Sequence, residues 1–184
     1  MKLDDKKLRE IESKVLAYRF REKDSDERKT YDEVFDHDTL LTVYSLTTND
    51  FFDTLDFPIA TGKEGIVFRA TTKEGEFRAV KIYRMNNATF NRIQKYISGD
   101  ERFKSVGKNK RRTIHMWAQK EFRNLDRMHQ AGIPVPEPVT SQKNIIVMEY
   151  IGLGESPAPH LRSFEIEEPQ GLFDSLYKNI KDIY

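Results

Sequence analysis

The 184-residue chain contains no cysteine, which removes disulfides, thiolate zinc sites and thiol nucleophiles together and suits a reducing compartment. No run approaches the roughly 18 consecutive apolar residues of a membrane span, and Met1-Lys2-Leu3-Asp4-Asp5-Lys6 has no apolar signal core. A soluble, cytoplasmic protein with no membrane partner is the expectation. An excess of one charge is also missing. Lys plus Arg number 31 against 30 Asp plus Glu, so the net charge of +1 gives no global reason to expect nucleic acid or an anionic surface as the main partner. The four histidines, His37, His115, His129 and His160, are too dispersed for a metal site, and none is expected. What is present suffices for a core. Apolar residues make up 38% and aromatics 11% against 33% charged, and a chain of this length buries roughly 70% of its unfolded surface, which fits one ordinary domain.

Residues 1–37 are dense in charge, with Asp24-Ser25-Asp26-Glu27-Arg28-Lys29 in the middle and only a weak helical stripe, and read as a partly ordered segment. Asp38 or Thr39 caps a short predicted helix through Leu40, Leu41, Val43, Tyr44 and Leu46. A short apolar turn over Phe51 to Leu55 leads to Phe57-Pro58, where Pro58 favours an extended entry to the next segment. Ile66 to Thr71 and Phe77 to Tyr83 are β-rich runs joined through Gly75, which predicts a hairpin. Residues 84–109 carry Asn86-Asn87, Gly99 and Gly107 and only a modest helical pattern around Phe90, Ile93 and Ile97, so a flexible, poorly ordered insertion is expected there. The clearest helix begins near Lys110 to Thr113 and runs to Gln130, with Ile114, Trp117, Ala118, Phe122, Leu125 and Met128 in period and Ala131-Gly132-Ile133-Pro134 as the stop. Pro134, Pro136 and Pro138 make an extended connection. Asn144 to Ile151 reads as a central strand covered on both faces. Gly152, Gly154, Pro157 and Pro159 look like a linker, and residues 165–184 read as an amphipathic helix with Leu172, Phe173, Leu176, Ile180 and Ile183 on one face.

Four features carry chemistry. Ala60-Thr61-Gly62-Lys63-Glu64-Gly65-Ile66-Val67 matches a phosphate-covering loop G-x-G-x-x-G-x-V with Ala60 in place of its first glycine. Glycines let a backbone come close enough to point N–H groups at phosphate oxygens, although a tight turn before a strand uses the same residues. In Ala79-Val80-Lys81, period-two alternation puts Lys81 on the face of Phe77, Ala79 and Tyr83. An ammonium leaving an apolar face either meets an anion or snorkels to water. Glu121 lies four residues from both Trp117 and Leu125 on the apolar stripe of the long helix, so it too points inward. A carboxylate and an ammonium so placed invite pairing. The strand through Met148-Glu149-Tyr150-Ile151 then stops beside a glycine-containing linker, where backbone groups are available to a ring such as adenine.

These strings, with Ala79-Val80-Lys81-Ile82-Tyr83 and Trp117-Ala118-Gln119-Lys120-Glu121-Phe122-Arg123-Asn124-Leu125, resemble the RIO family of atypical serine/threonine protein kinases, nearest its first branch, over roughly residues 38–184. The resemblance implies an α+β fold: a protein-kinase-like N-terminal lobe over 38–151, built as a twisted antiparallel sheet with an αC-type helix. Short N-terminal helices would precede it, and a hinge with the first large-lobe helix over 152–184 would come after it. It implies ATP and Mg2+ as cofactors, a protein serine as substrate, and the pre-ribosomal small subunit, whose maturation the family serves, as partner. By the same carry-over the nucleotide site comprises Thr61, Gly62, Lys63, Glu64, Gly65, Val67 and Ala79. Lys81 looks like the phosphate lysine, Glu121 its partner, Met148 the gatekeeper, and Glu149 and Ile151 the backbone contacts to adenine. Gly65 replaces the family's usual alanine, an exchange expected to loosen the loop. Autophosphorylation in the insertion points to Ser105 and Ser98.

The family's catalytic strings, H-x-D-x-x-x-x-N and D-x-G, are absent. The nearest imitation, Asp36-His37-Asp38, lies upstream of the glycine loop and has Val43 where the asparagine belongs. In the family the helix resembling Leu172 to Tyr184 is followed at once by the catalytic loop. The catalytic aspartate and metal ligands are therefore expected beyond Tyr184, no catalytic residue is identified in this sequence, and phosphoryl transfer by this polypeptide alone is expected to be negligible. Self-association through the apolar face of the last helix is a further expectation. The rival reading is a non-catalytic ribosome or RNA interaction module that uses Lys108, Lys110, Arg111 and Arg112 to contact phosphates, against which such a run is more often a solvated loop and helix start.

Overall fold

The computed structural model describes residues 34–97, 109–163 and 165–183, together with Lys6, Arg9 and Ser13. Most of the N-terminal segment, and Ser98, Ser105 and Lys108, therefore lie outside the described residues. In chain order the elements are α1 (His37–Thr48), β1 (Thr54–Thr61), β2 (Gly65–Thr71), β3 (Phe77–Tyr83), α2 (Asn87–Ile97), α3 (Lys110–Gln130), β4 (Pro138–Gln142) and β5 (Ile145–Glu149). A two-strand hairpin of β6 (Gly152–Leu153) and β7 (Ser156–Pro157), one 3-10 turn and α4 (Pro169–Ile183) complete the fold.

The first five strands form one sheet in the order β1-β2-β3-β5-β4, and every neighbouring pair is antiparallel. β5 lies inside the sheet, as its near-continuous apolar run predicts, with Ile145, Ile146 and Val147 fully buried. Both edge strands were unforeseen, and both contain a proline whose missing N–H is tolerated at a sheet edge. Pro58 lies inside β1 between two register shifts, and Pro138 opens β4. Asp56 pins the irregular part of β1: it accepts from Arg69 Nε at 2.9 Å, Thr71 Oγ1 at 2.7 Å and Thr54 Oγ1 at 2.8 Å. The Arg69 guanidinium lies 4.4 Å from the ring centroids of both Phe57 and Phe77.

Each face of the sheet has its own core. On one, Ile66, Phe68, Val80, Ile82, Ile145 and Val147 meet Val43 and Leu46 of α1, together with Val34 and Phe52. Val34 is fully buried and Phe35 packs edge-on against Phe68 at 5.4 Å, so packing reaches into the end of the segment read as a charged tail. The cap of α1 is Asp36, which accepts from Thr39 N–H at 2.9 Å, ahead of both expected positions, Asp38 and Thr39. On the other face, Tyr83 and Ile146 pack against Ile114 and Ala118 of α3. α3 spans the predicted residues and is capped by Asn109.

The expectation of poor order over 84–109 is corrected for residues 84–97. Asn86 accepts from Thr89 N–H at 2.8 Å and starts α2, whose Ile93 and Ile97 enter the same cluster as Ile114 and Ala118. The sparse stripe works because α2 does not stand alone: it gains a buried face only by lying on α3. The linker holds the small β6-β7 hairpin, turned at Gly154 with φ 57°, a conformation that suits glycine. α4 has no buried residue, and Phe173, Leu176, Tyr177, Ile180 and Ile183 are exposed along it.

Candidate functional site

Register brings four of the predicted residues to one face of the sheet. Directly opposed residues in antiparallel strands point the same way. Lys81 faces Val67 on β2 and Ile146 on β5, and Ala79 faces Met148. Val67, Ala79, Lys81 and Met148 therefore share the side on which α3 lies, as the alternation through β3 requires.

From α3, Glu121 reaches Lys81 across forty residues of sequence: Nζ donates to Oε1 at 2.7 Å and to Oε2 at 2.9 Å. The pair is three-quarters buried, with 23% and 29% of the two side chains exposed. Tyr83, two residues on from Lys81 and on the same face, donates its hydroxyl to Glu121 Oε2, and its ring centroid lies 4.7 Å from Lys81 Nζ. Burial, and then the neighbouring Glu121 carboxylate, hold the Tyr83 hydroxyl protonated far above the usual phenol range. This third member was not anticipated from the sequence, although the alternation that oriented Lys81 applies equally to Tyr83. Below the pair, Trp117, Leu125 and Met128 line a cavity of about 340 Å³ with Glu121, the stripe expected of α3.

Above Lys81 opens a cleft of about 990 Å³, roofed by the lid from Thr61 to Gly65 and by Val67. The lid is a turn between β1 and β2 in which Gly62 N–H donates to the Gly65 carbonyl at 2.9 Å. A Cβ on Gly62 would meet only that carbonyl, at 3.5 Å, so the space over it is open. Gly65 is different. It pairs with Tyr83 in β2, and a Cβ there would collide with the Ile82 backbone carbonyl. Beside the loosening expected of the loop, the missing side chain of Gly65 lets β2 close tightly on β3.

Met148, Glu149 and Ile151 lead from β5 towards the linker, away from the residues lining the large cleft. Two of their backbone groups are engaged, Glu149 N–H with the Glu137 carbonyl at 2.8 Å and the Ile151 carbonyl with Ala158 N–H at 2.9 Å. The cleft also takes in residues with no predicted role: Arg92 and Tyr96 of α2, and His160 and Arg162 beyond the hairpin. Finding them required knowing that α2 forms. The basic run is partly spoken for. Arg111 bridges Asp36 at 2.8 Å and Asp38, and Lys110 donates to Asn87 Oδ1 at 3.3 Å, while Arg112 is exposed. Among the described residues no cluster of three His, Asp or Glu side chains could hold a metal ion, and no helix is long and apolar enough to cross a membrane.

Comparison with known proteins bears on the family and the fold. A family model describing the RIO domain matches residues 66–184. The RIO-type serine/threonine-protein kinase Rio1 of Haloferax volcanii is 36% identical over 167 residues, covering 91% of this chain and 58% of that protein. The serine/threonine-protein kinase RIO1 of Homo sapiens is 37% identical over 151 residues, covering 81% of this chain and 27% of that one. This chain thus spans little more than half of the first and about a quarter of the second. Among solved structures, the Rio2 kinase of Chaetomium thermophilum superposes with a TM-score of 0.60 at 21% identity, covering 77% of this chain and 40% of that one. The same kinase in its ADP/Mg2+-phosphoaspartate complex gives 0.58 at 22% identity, with 76% and 39% covered. At such identity the likeness shows the fold, a protein-kinase-like α+β lobe. The matched segment takes in β3, α3 and β5, the elements that carry Lys81, Glu121 and the strand leading to the linker, and the chain accordingly belongs to the RIO domain family.

Proposed function

We propose that this chain is the ATP-binding part of a serine/threonine protein kinase. The observation that carries the reading is the Lys81–Glu121 pair beneath a glycine lid. Glu121, itself held by the Tyr83 hydroxyl, fixes the lysine from one side, and the lysine borders the cleft on the other. A polyphosphate is the ligand class that such a cation suits, and the lid is a backbone free of side-chain crowding at Gly62. Thr61, Lys63, Glu64 and Gly65 surround the same space. By the family resemblance, Val67, Ala79 and Met148 would flank an adenine at the linker end, with the Glu149 carbonyl and the Ile151 N–H as its partners. Relatives named as RIO-type kinases, and a Rio2 kinase complex containing ADP and Mg2+, support the reading.

The described residues contain no group of three carboxylates or histidines able to hold a metal ion, and by the family resemblance the ligands of a nucleotide-bound Mg2+ would come from beyond Tyr184. The residues in hand account for binding and orienting ATP. Phosphoryl transfer to a protein serine, acceptance at Ser98 or Ser105, and a setting in maturation of the small ribosomal subunit are inferred for the whole protein from the family resemblance. The test is calorimetric titration of the chain with ATP, together with thermal melting. ATP should bind and raise the melting temperature, and Lys81→Ala should abolish both effects. RNA binding with a steep salt dependence, indifferent to Lys81 and accompanied by no ATP binding, would overturn the proposal in favour of an RNA interaction module.

A further inference from the structure

We propose that Arg92, on α2, is a phosphate-binding residue of this cleft and contacts the phosphate chain of a bound nucleoside triphosphate from the side of the insertion. The inference deepens the nucleotide reading and rests on it. Three observations carry it.

The first is that α2 is a fixed platform. Thr89 and Ile93 are fully buried and Ile97 is 8% exposed, and both isoleucines pack with Ile114 and Ala118 of α3. Arg92 and Tyr96 stand one helical turn apart, and both line the cleft. Tyr96 stacks on Trp117 with ring centroids 5.8 Å apart and planes 25° from parallel, which ties this side of α2 to the helix that carries Glu121. Arg92 therefore belongs to the same rigid frame as the Lys81–Glu121 pair.

The second observation is an unmet need. Arg92 Nη1 is buried and finds no hydrogen-bond partner among the described residues. A guanidinium stays charged at every accessible pH, and a buried donor of a charged group left unpaired is costly. Lys81 differs in this respect, because Glu121 satisfies it without a ligand. Arg92 lines the cleft, and a turn about its side-chain torsions would bring that unpaired donor to an anion held there.

The third is the charge of the walls. Four cations, Lys63, Lys81, Arg92 and Arg162, line the cleft beside one carboxylate, Glu64. Such a surplus favours a polyanion over a singly charged or neutral ligand. A planar guanidinium fork suits the bidentate geometry of phosphate oxygens, which an ammonium cannot reproduce.

The experiment titrates the whole chain, as wild type, Arg92→Ala, Arg92→Lys and Lys81→Ala, with ATP, adenosine and inorganic tripolyphosphate. Arg92→Ala should weaken ATP and tripolyphosphate by roughly tenfold to a hundredfold, the worth of a charge-assisted hydrogen bond, and leave adenosine within about twofold. Arg92→Lys should recover only part of that loss. The unliganded Arg92→Ala protein should melt no lower than wild type, since no protein partner is lost at Nη1. ATP binding unchanged in Arg92→Ala while Lys81→Ala loses it would overturn the inference and leave the nucleotide reading standing. Equal weakening of ATP and adenosine would also overturn it, by showing a structural role. Failure of the wild type to bind either ATP or adenosine would remove both.

Discussion

The Lys81–Glu121 pair can be tested in solution without any activity, by a double-mutant cycle of Lys81→Met and Glu121→Gln. Both substitutions keep approximate side-chain volume, so the cycle isolates charge. At the separations of 2.7 and 2.9 Å, the direct attraction at an effective dielectric of about 20 is on the order of 6 kcal/mol, most of which dehydration of the two groups cancels. Fully exposed pairs return about 0.2–1 kcal/mol, whereas stripping one partner from a fully buried pair costs about 3–5 kcal/mol. With 23% and 29% exposure this pair lies between those limits, and a coupling energy of about 1–2 kcal/mol is expected. Lys81→Met should cost less than Glu121→Gln, because Tyr83 still donates to the carboxylate in the former. Urea unfolding followed by the fluorescence of Trp117, the single tryptophan, which packs against the cluster beside the pair, measures all four corners. The slope against urea should stay constant across the set. Raising the salt from about 0.05 to 0.5 M should leave more than half of the coupling, since partly buried charges are weakly screened. A coupling within about 0.3 kcal/mol of zero would mean that the two groups do not meet, and the site would have to be abandoned.

Gly65→Ala should destabilise the fold by about 1–3 kcal/mol, because the added methyl meets the backbone of Ile82 and Tyr83 rather than a side chain that can move; an unchanged melting temperature would refute the tight β2-β3 approach. Ile93→Ala should cost about 2–5 kcal/mol if α2 packs on α3 as described, and a loss below about 0.5 kcal/mol in urea unfolding would show that it does not. The pKa of His115 lies below its ordinary 6.5, first through burial and then through Lys143 and Arg111, against the opposing pull of Asp38 and Asp36. The unfolded chain therefore takes up the proton at a higher pH than the fold does, so stability should fall as pH drops below about 6.5. His115→Gln should flatten that slope between about pH 7 and 5 in urea midpoints, and identical slopes for the two proteins would refute it.

The parts legible in the sequence are those whose signal is local and repeated. β2, β3 and β5 announce themselves by alternation or by an unbroken apolar run, and α3 by a sustained helical period with a clear stop at Ala131-Gly132. The facing of Lys81 and Glu121 came from the same two periods, and the structure places their charged atoms in contact. The edge strands were not legible because their membership depends on a neighbour: Pro58 and Pro138 argue against a strand until one knows that only one side is paired. α2 was hidden for a related reason. Three buried positions, Thr89, Ile93 and Ile97, are too few to hold a helix in water and enough once α3 supplies the other half of the contact. The role of Tyr83 is less legible because a ring on an inward face of β3 fits a core as well as it fits a site, and nothing local marks its hydroxyl as a donor. Arg92 had no signal at all, since nothing local distinguishes a cation on a charged helix from one that borders a cleft.

α3 is moored at three places. Arg111 at its first turn bridges Asp36 and Asp38 at the start of α1, α2 lies along its flank through Ile93 and Ile97, and Glu121 is gripped by two donors from β3. Swinging the carboxylate outward would mean breaking all three moorings in one movement. An anion entering the cleft would therefore meet a cation already held in position, and none of its binding free energy would be spent on bringing the helix home.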